Sequence, residues 1–157
     1  MEKNNIPKEI IDEYLAPGYS AFETGVKQLP TGELMLANLV PAPYLTGAMF
    51  DWWFHEFLED TSQYQMWHKD HAAMEVGNRV RPDSVIGASH LSTEKLGDQV
   101  VPMQIAFFDP LDIFTPEQLA EAKVSGGVCA EIISEGHKLG MLMHLIRDTF
   151  YGAEAFT

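Results

Sequence analysis

The sequence predicts an α+β fold built on a curved, mainly antiparallel sheet with a few helices. Three observations favour this class: strand-like segments follow one another across short turns, the helical segments are few and short, and no repeat or low-complexity tract is present. A chain of 157 residues with 46% hydrophobic side chains has the size and apolar content of one domain. We expect a single domain over residues 1–157, with an N-terminal helix and hairpin in 1–45, an aromatic helix and a histidine stretch in 46–76, and the sheet in 84–157.

The first part of the chain predicts a helix followed by a hairpin. Apolar residues at helical spacing favour an amphipathic helix from Pro7 to Leu15, which Pro17-Gly18 would end. Two strand-like segments, Phe22–Val26 and Leu34–Val40, flank a turn signal at residues 29–33. We expect these two segments to pair with each other.

A second helix is predicted where aromatic residues crowd the chain. Thr46 can cap this helix, which is expected to run over Met49–Leu58. Its apolar residues form a broad stripe that includes Trp53 and Phe57, so most of the helix should be buried.

The remaining segments predict the sheet and one short helix. The strand-like segments are Val85–Leu96, Val100–Phe108, Val128–Ser134, Leu139–Asp148 and the terminal residues 151–157. Thr115-Pro116-Glu117-Gln118 has the pattern of a helix start; this helix is expected to run to about Lys123, and Gly126-Gly127 would close it.

The charge and the motif content exclude several classes of function. With 23 acidic and 10 basic side chains, the net charge is -13, which disfavours nucleic acid and anionic membrane surfaces as partners and favours small molecules. No apolar run is long enough to span a membrane and no signal-peptide pattern is present, so the cytoplasm is the expected compartment. Serine-hydrolase elbows, P-loops and Rossmann fingerprints are also absent from the sequence.

The single cysteine restricts the chemistry of any metal site. Cys129 lies in an apolar strand pattern and is expected to be a core residue. One cysteine can form neither an internal disulfide nor a cysteine-based zinc cluster. A metal would therefore have to be held by His, Asp and Glu.

The stretch Trp67-His68-Lys69-Asp70-His71, directly behind the aromatic helix, is a candidate metal site. It offers two imidazoles three residues apart beside large apolar rings, an arrangement that suits a metal next to a flat organic ligand. A competing pattern is His71-x-x-x-Glu75, which on a helix would bring an imidazole and a carboxylate one turn apart. The alternative to both is that the aromatic residues are ordinary core and the histidines lie on a loop.

Two further histidines lie on predicted strands. Alternation puts His90 and Glu94 on one face, which either lines a cavity or faces solvent. His144 lies on the last long strand, and His137 lies at the turn before it. A lone histidine on an apolar strand is also compatible with a hydrogen-bonded core residue, and this alternative stays open.

The order of motifs resembles that of the diacetylphloroglucinol hydrolase and phloretin hydrolase family over nearly the whole chain. The motifs that carry the resemblance are Leu15-Ala16-Pro17-Gly18-Tyr19, Glu23-x-Gly25, Leu29-Pro30-x-Gly32, Thr46-Gly47-x-Met49-x-Asp51-Trp52-Trp53-Phe54, Trp67-His68-x-Asp70-His71, His90-x-x-x-Glu94, Phe107-x-Asp109-Pro110 and His144-Leu145-Ile146-Arg147. The Asp-Trp-Trp-Phe and Trp-His-x-x-His elements are the most specific of them.

The resemblance implies a helix-grip fold and a metal-dependent, usually zinc-dependent, hydrolase that removes an acyl group from a phenolic ring. In this family a His and a Glu from the middle of the chain bind the metal together with a His-x-x-x-Glu pair on a long C-terminal helix. His71 and Glu94 match the first pair, with His68 as the fallback for the histidine. The sequence ends at Thr157, inside the last predicted strand, so we expect a fold that lacks the long helix. Either the sequence is truncated relative to the family, or the other metal ligands come from elsewhere, such as His68, His90, Glu75 or another subunit.

The resemblance also implies roles for residues that would contact the substrate. His144, or else His137, would donate a proton to the departing ring, and Tyr64 is matched to the family's substrate-binding tyrosines. Trp53 and Phe57 would hold the flat ring. Two other readings stay open: a non-catalytic protein that binds a phenolic or hydrophobic molecule, and a fragment that associates with itself, for example as a homodimer.

Overall fold

The computed structural model describes residues 8–15 and 22–157 and has a seven-stranded sheet and a separate two-stranded sheet. The strands in chain order are β1 (Gly25–Gln28), β2 (Leu34–Ala37), β3 (Leu39–Ala42), β4 (His71–Val76), β5 (Ser89–Leu96), β6 (Gln99–Phe108), β7 (Val124–Ser134), β8 (His137–Thr149) and β9 (Gly152–Phe156). The helices are α1 (Lys8–Tyr14), α2 (Gly47–Trp52), α3 (Thr61–Trp67) and α4 (Pro116–Glu121), with a π-helix at Trp53–Phe57 and a 3-10 helix at Pro110–Asp112.

The main sheet has the strand order β3-β9-β8-β7-β6-β5-β4 and is antiparallel. From β4 to β9 each strand lies beside the next one in the chain, as expected for segments joined by short connections, and β3 is added at the β9 edge. The predicted α+β class with a mainly antiparallel sheet is therefore confirmed, and the arrangement is consistent with a helix-grip-like fold.

The predicted strand Leu34–Val40 is wrong as a single strand, because the chain changes sheets at Asn38. β2 pairs with β1, whereas β3 pairs with β9. Between them, Asn38 exchanges two backbone hydrogen bonds with Thr157, each of 3.0 Å. The first strand begins at Gly25, later than predicted, and the proposed helix stop at Pro17-Gly18 lies outside the described residues.

The aromatic helix starts as an α-helix and continues as a π-helix. The Leu58 amide donates to the carbonyl oxygen of Trp53, five residues earlier, at 2.8 Å. Phe54 and Leu58, four residues apart and therefore on one side of the helix, are both buried, with 7% and 0% exposure.

The helix α3, which follows the aromatic helix, was not predicted from the sequence. Asp60 caps α3 by accepting from the Gln63 amide, and the Gln63 side chain accepts in turn from the Asp60 amide at 3.2 Å. His71 then begins β4, so the helical His71-x-x-x-Glu75 chelate is wrong. The α4 helix ends at Glu121, close to the predicted end near Lys123, but Gly126-Gly127 do not close it, because β7 already begins at Val124.

Two compact units are distinguished by their internal contacts. One comprises Met1–Phe50, Pro110–Gly127 and Met143–Thr157, and the other comprises Asp51–Asp109 and Val128–Leu142. We call them the first and the second unit. A single domain over residues 1–157 stays a prediction. Within the described residues, no helix has the length and apolar character needed to cross a membrane.

Candidate active site

A bulge at the start of β4 brings His71 opposite Glu94 in the second unit. Ala73 pairs with Thr93 and His71 pairs with Glu94, so Ala72 is an extra residue on β4. If this stretch were paired regularly, without the bulge, Ala72 would face Glu94, and alternation would turn His71 to the other face of the sheet. With the bulge, His71 Nδ1 lies 2.6 Å from Glu94 Oε2, and the two side chains are only 19% and 13% exposed.

Tyr64 from α3 completes a three-residue cluster with this pair. Its hydroxyl donates to Glu94 Oε1 at 2.9 Å, and its ring stacks on the imidazole of His71 with centroids 3.8 Å apart and planes 12° apart. Burial, followed by the negative charge of Glu94 and the hydrogen bond to it, raises the pKa of Tyr64. Tyr64 is therefore a neutral donor, and both Glu94 oxygens have a partner.

The inner face of β5 continues from Glu94 with Ser92 and His90. These two residues are 2% and 1% exposed, so the face that carries them is buried rather than in solvent. Burial, reinforced by the positive charge of Arg79, lowers the pKa of His90 to about 4. His90 is consequently a neutral imidazole at physiological pH.

This lowered pKa predicts an acid-dependent loss of stability. The unfolded chain takes up the His90 proton near pH 6.5, whereas the folded protein resists it until about pH 4. The stability that depends on the neutral His90 imidazole is thus fully present above pH 6.5. As the pH falls from 6.5 to about 4, the free energy of unfolding decreases by up to about 3 kcal/mol. Urea unfolding of His90→Gln from pH 7 to pH 4 should show a flatter decline than the wild type.

Ser89→Ala is the matched control for that measurement. Ser89 is buried on the same strand and carries no titratable group. Its substitution is expected to leave the slope of stability against pH as in the wild type, whatever it does to absolute stability. Equal slopes for the wild type and His90→Gln would contradict the assignment.

An aromatic cluster in the second unit leads up to His90. Ring-centroid distances are 5.0 Å for Trp53–Phe57, 6.4 Å for Trp53–Trp67, 5.7 Å for Phe54–Trp67 and 6.2 Å for Phe54–Phe107. The edge-to-face contact of His90 with Phe107, at 4.7 Å, joins the imidazole to these rings. Trp53 and Phe57, expected to hold a substrate ring, thus belong to one continuous aromatic surface.

The other predicted histidines lie at different places. The ring of His68 is 5.8 Å from that of His71, but its side chain is 63% exposed. His137 is exposed at the start of β8 in the second unit. His144 belongs to the first unit, where its Nδ1 is 2.7 Å from the Thr157 hydroxyl. Their roles in catalysis stay predictions.

An open groove of about 580 Å³ lies on the opposite face of the second unit's strands. Glu75, Leu91 and Thr93, which contribute to its lining, alternate with the residues of the inner face. The lining also includes Ser92, but it contains none of Tyr64, His71 and Glu94. In the part of the chain that the structure describes, no group of three or more His, Cys, Asp or Glu side chains is arranged to hold a metal.

Comparison with known families agrees with the motif order in the sequence. The family model described as DAPG hydrolase PhiG domain, where DAPG is diacetylphloroglucinol, matches residues 7–157. No curated protein matches the chain. Because the family model spans nearly the whole sequence and includes the His71, Tyr64 and Glu94 cluster, the chain belongs to the DAPG hydrolase family.

Proposed function

We propose that this chain is a zinc-dependent hydrolase that breaks the carbon–carbon bond between an acyl group and a phenolic ring. Its substrates would be aryl ketones of the phloretin or diacetylphloroglucinol type. Membership in a family of hydrolases supports the reaction class. The observation that carries the proposal is the convergence of His71 and Glu94, predicted as ligands, at 2.6 Å beside Tyr64 and an aromatic surface.

The donor atoms of this cluster fit zinc in kind. Zinc in proteins takes imidazole nitrogen and carboxylate oxygen, and the ligating carboxylate is usually held by a further hydrogen bond. His71 and Glu94 would hold the ion, with His68 as the nearby fallback, and Tyr64 would orient the carboxylate. The chemistry that zinc supplies when bound is polarisation of a carbonyl oxygen and activation of water near neutral pH.

The aromatic residues would bind and orient the substrate ring. Trp53 and Phe57, whose rings are 5.0 Å apart, offer flat apolar surface to an aromatic ketone and exclude water from it. Holding the ring there would aim the acyl carbonyl at the His71 and Glu94 end of the strands.

The reaction also needs a proton for the departing ring. Water adds to the carbonyl carbon, the carbon–carbon bond breaks with its electron pair on the ring, and the ring carbon then takes a proton. The products are a carboxylic acid and a phenol with one acyl group fewer. His144 or His137 is proposed as the donor, because imidazole is the side chain best suited to give up a proton near neutral pH.

Turnover measured together with metal content tests the proposal. The purified protein with added zinc should convert phloretin or diacetylphloroglucinol to equal amounts of carboxylic acid and deacylated phenol. Acetophenone, whose ring bears no hydroxyl group to delocalise the departing charge, should remain intact. Absence of turnover together with absence of bound metal by elemental analysis would reject the enzyme, and binding without turnover would favour a phenol-binding protein.

A further inference from the structure

Two buried polar atoms on the inner face of β5 lack a partner in the part of the chain that the structure describes. They are Ser92 Oγ and His90 Nε2, and their residues are 2% and 1% exposed. A buried polar group without a hydrogen bond costs about 1–3 kcal/mol. Such groups in a native protein indicate a partner that comes from outside the chain.

The position of these atoms connects them with the candidate active site. A side-chain interaction with Ser92, outside normal hydrogen-bond geometry, opposes part of the rise in the pKa of Tyr64, whose hydroxyl donates to Glu94. His90, Ser92 and Glu94 share one face, and their Cα atoms follow at roughly 7 Å intervals along the strand. The separation of Glu94 and His90 along the strand thus exceeds the length of one substituted aromatic ring.

The surroundings of His90 favour an aromatic ligand whose oxygen carries negative charge. Phe107 lies edge-on to the imidazole and leads to the aromatic cluster. Arg79 donates from one terminal nitrogen to Glu59 at 3.0 Å, while its Nε and its other terminal nitrogen are buried without a partner among the described residues. Its positive charge acts on His90, so the imidazole lies close to a guanidinium group.

We propose that His90 and Ser92 form a subsite that hydrogen-bonds the ring oxygens of a phenolic substrate whose acyl group lies at the His71 and Glu94 end. This inference rests on the proposed function for the identity of the substrate. The two residues position the ring and select rings that bear several hydroxyl groups. Arg79 adds a positive charge where the departing ring accumulates negative charge.

Binding of two simple phenols by the full chain tests the subsite without turnover. The wild type, titrated calorimetrically, should bind 1,3,5-trihydroxybenzene more tightly than phenol. Ser92→Ala and His90→Phe should each weaken trihydroxybenzene binding by about threefold to tenfold and change phenol binding little, because each removes one hydrogen bond to the ligand. Ser89→Ala, buried on the same strand but facing the other way, is the matched control and should bind both probes as the wild type does.

Each outcome decides the inference separately from the enzyme assignment. Unchanged preference in the folded variants, or no trihydroxybenzene binding by the wild type, overturns it and leaves buried water as the partner of these atoms. Lost preference without any turnover supports the subsite and rejects the hydrolase. Turnover with a KM for phloretin that both variants leave unchanged rejects the subsite only. Circular dichroism identifies which of the two variants are folded. If only one of them folds, its binding result is sufficient to decide the outcome.

Discussion

Glu94→Gln is expected to lower kcat for diacetylphloroglucinol by on the order of 100-fold or more and to reduce bound zinc. The amide keeps the shape of the side chain and can still accept from Tyr64. It removes the negative charge that faces His71 Nδ1 at 2.6 Å and that a divalent ion requires. Steady-state kinetics and elemental analysis of the same samples measure the two effects.

Glu75→Gln provides the matched control for this substitution. Glu75 is an exposed carboxylate on the neighbouring strand and lines the groove on the other face. The Glu75→Gln variant should therefore retain both activity and bound zinc. His71→Ala should lose both, and the double variant with Glu94→Gln should be little worse than either single variant, because the two residues act as a unit. Full activity of Glu94→Gln with normal zinc content would contradict the assignment.

Gly47→Ala is expected to destabilise the protein by roughly 3 kcal/mol, since the added methyl group has no space. A Cβ at this position would overlap the backbone carbonyl of Ser125, and a Cβ on Gly126 would lie 2.6 Å from the carbonyl oxygen of Gly47. Both neighbours are backbone and cannot rotate away, unlike a flexible side chain. Urea denaturation followed by circular dichroism measures the change in unfolding free energy.

Gly140→Ala is the control for the general effect of replacing glycine. No atom lies within 4 Å of a Cβ built on Gly140, which is in β8. Its substitution should change stability by less than about 1 kcal/mol. Similar unfolding midpoints for the two variants would show that the backbone approach at Gly47 is looser than described.

The sequence predicts which residues of a strand share a face, but it does not predict whether that face is buried. Alternation alone placed His90 and Glu94 on one side of β5, and the structure agrees. Whether that side is buried depends on the elements that cover it, which are distant in the chain. The environments of Ser92 and Arg79 could not be predicted for the same reason, because only tertiary structure reveals a buried donor or acceptor without a partner among the described residues.

Prediction of the Tyr64, His71 and Glu94 cluster requires one local and one non-local sequence signal. Asp60 and Gln63 form a capping box that could have located α3, and with it Tyr64, from sequence alone. The pairing of His71 with Glu94 needed the register between β4 and β5. Family resemblance supplied that pair, whereas spacing alone left the weaker helical alternative of His71 with Glu75 open.

The bulge in β4 makes the path of the backbone, rather than side-chain identity alone, the property that brings the cluster together. Ala72 contributes no functional group, but His71 and Ala72 together oppose the single residue Glu94, so the imidazole faces the carboxylate from one position beyond the regular partner. The residues of β4 on the two sides of the bulge therefore have opposite phases. Strict alternation counted from Ala73 would assign His71 to the wrong face of the sheet.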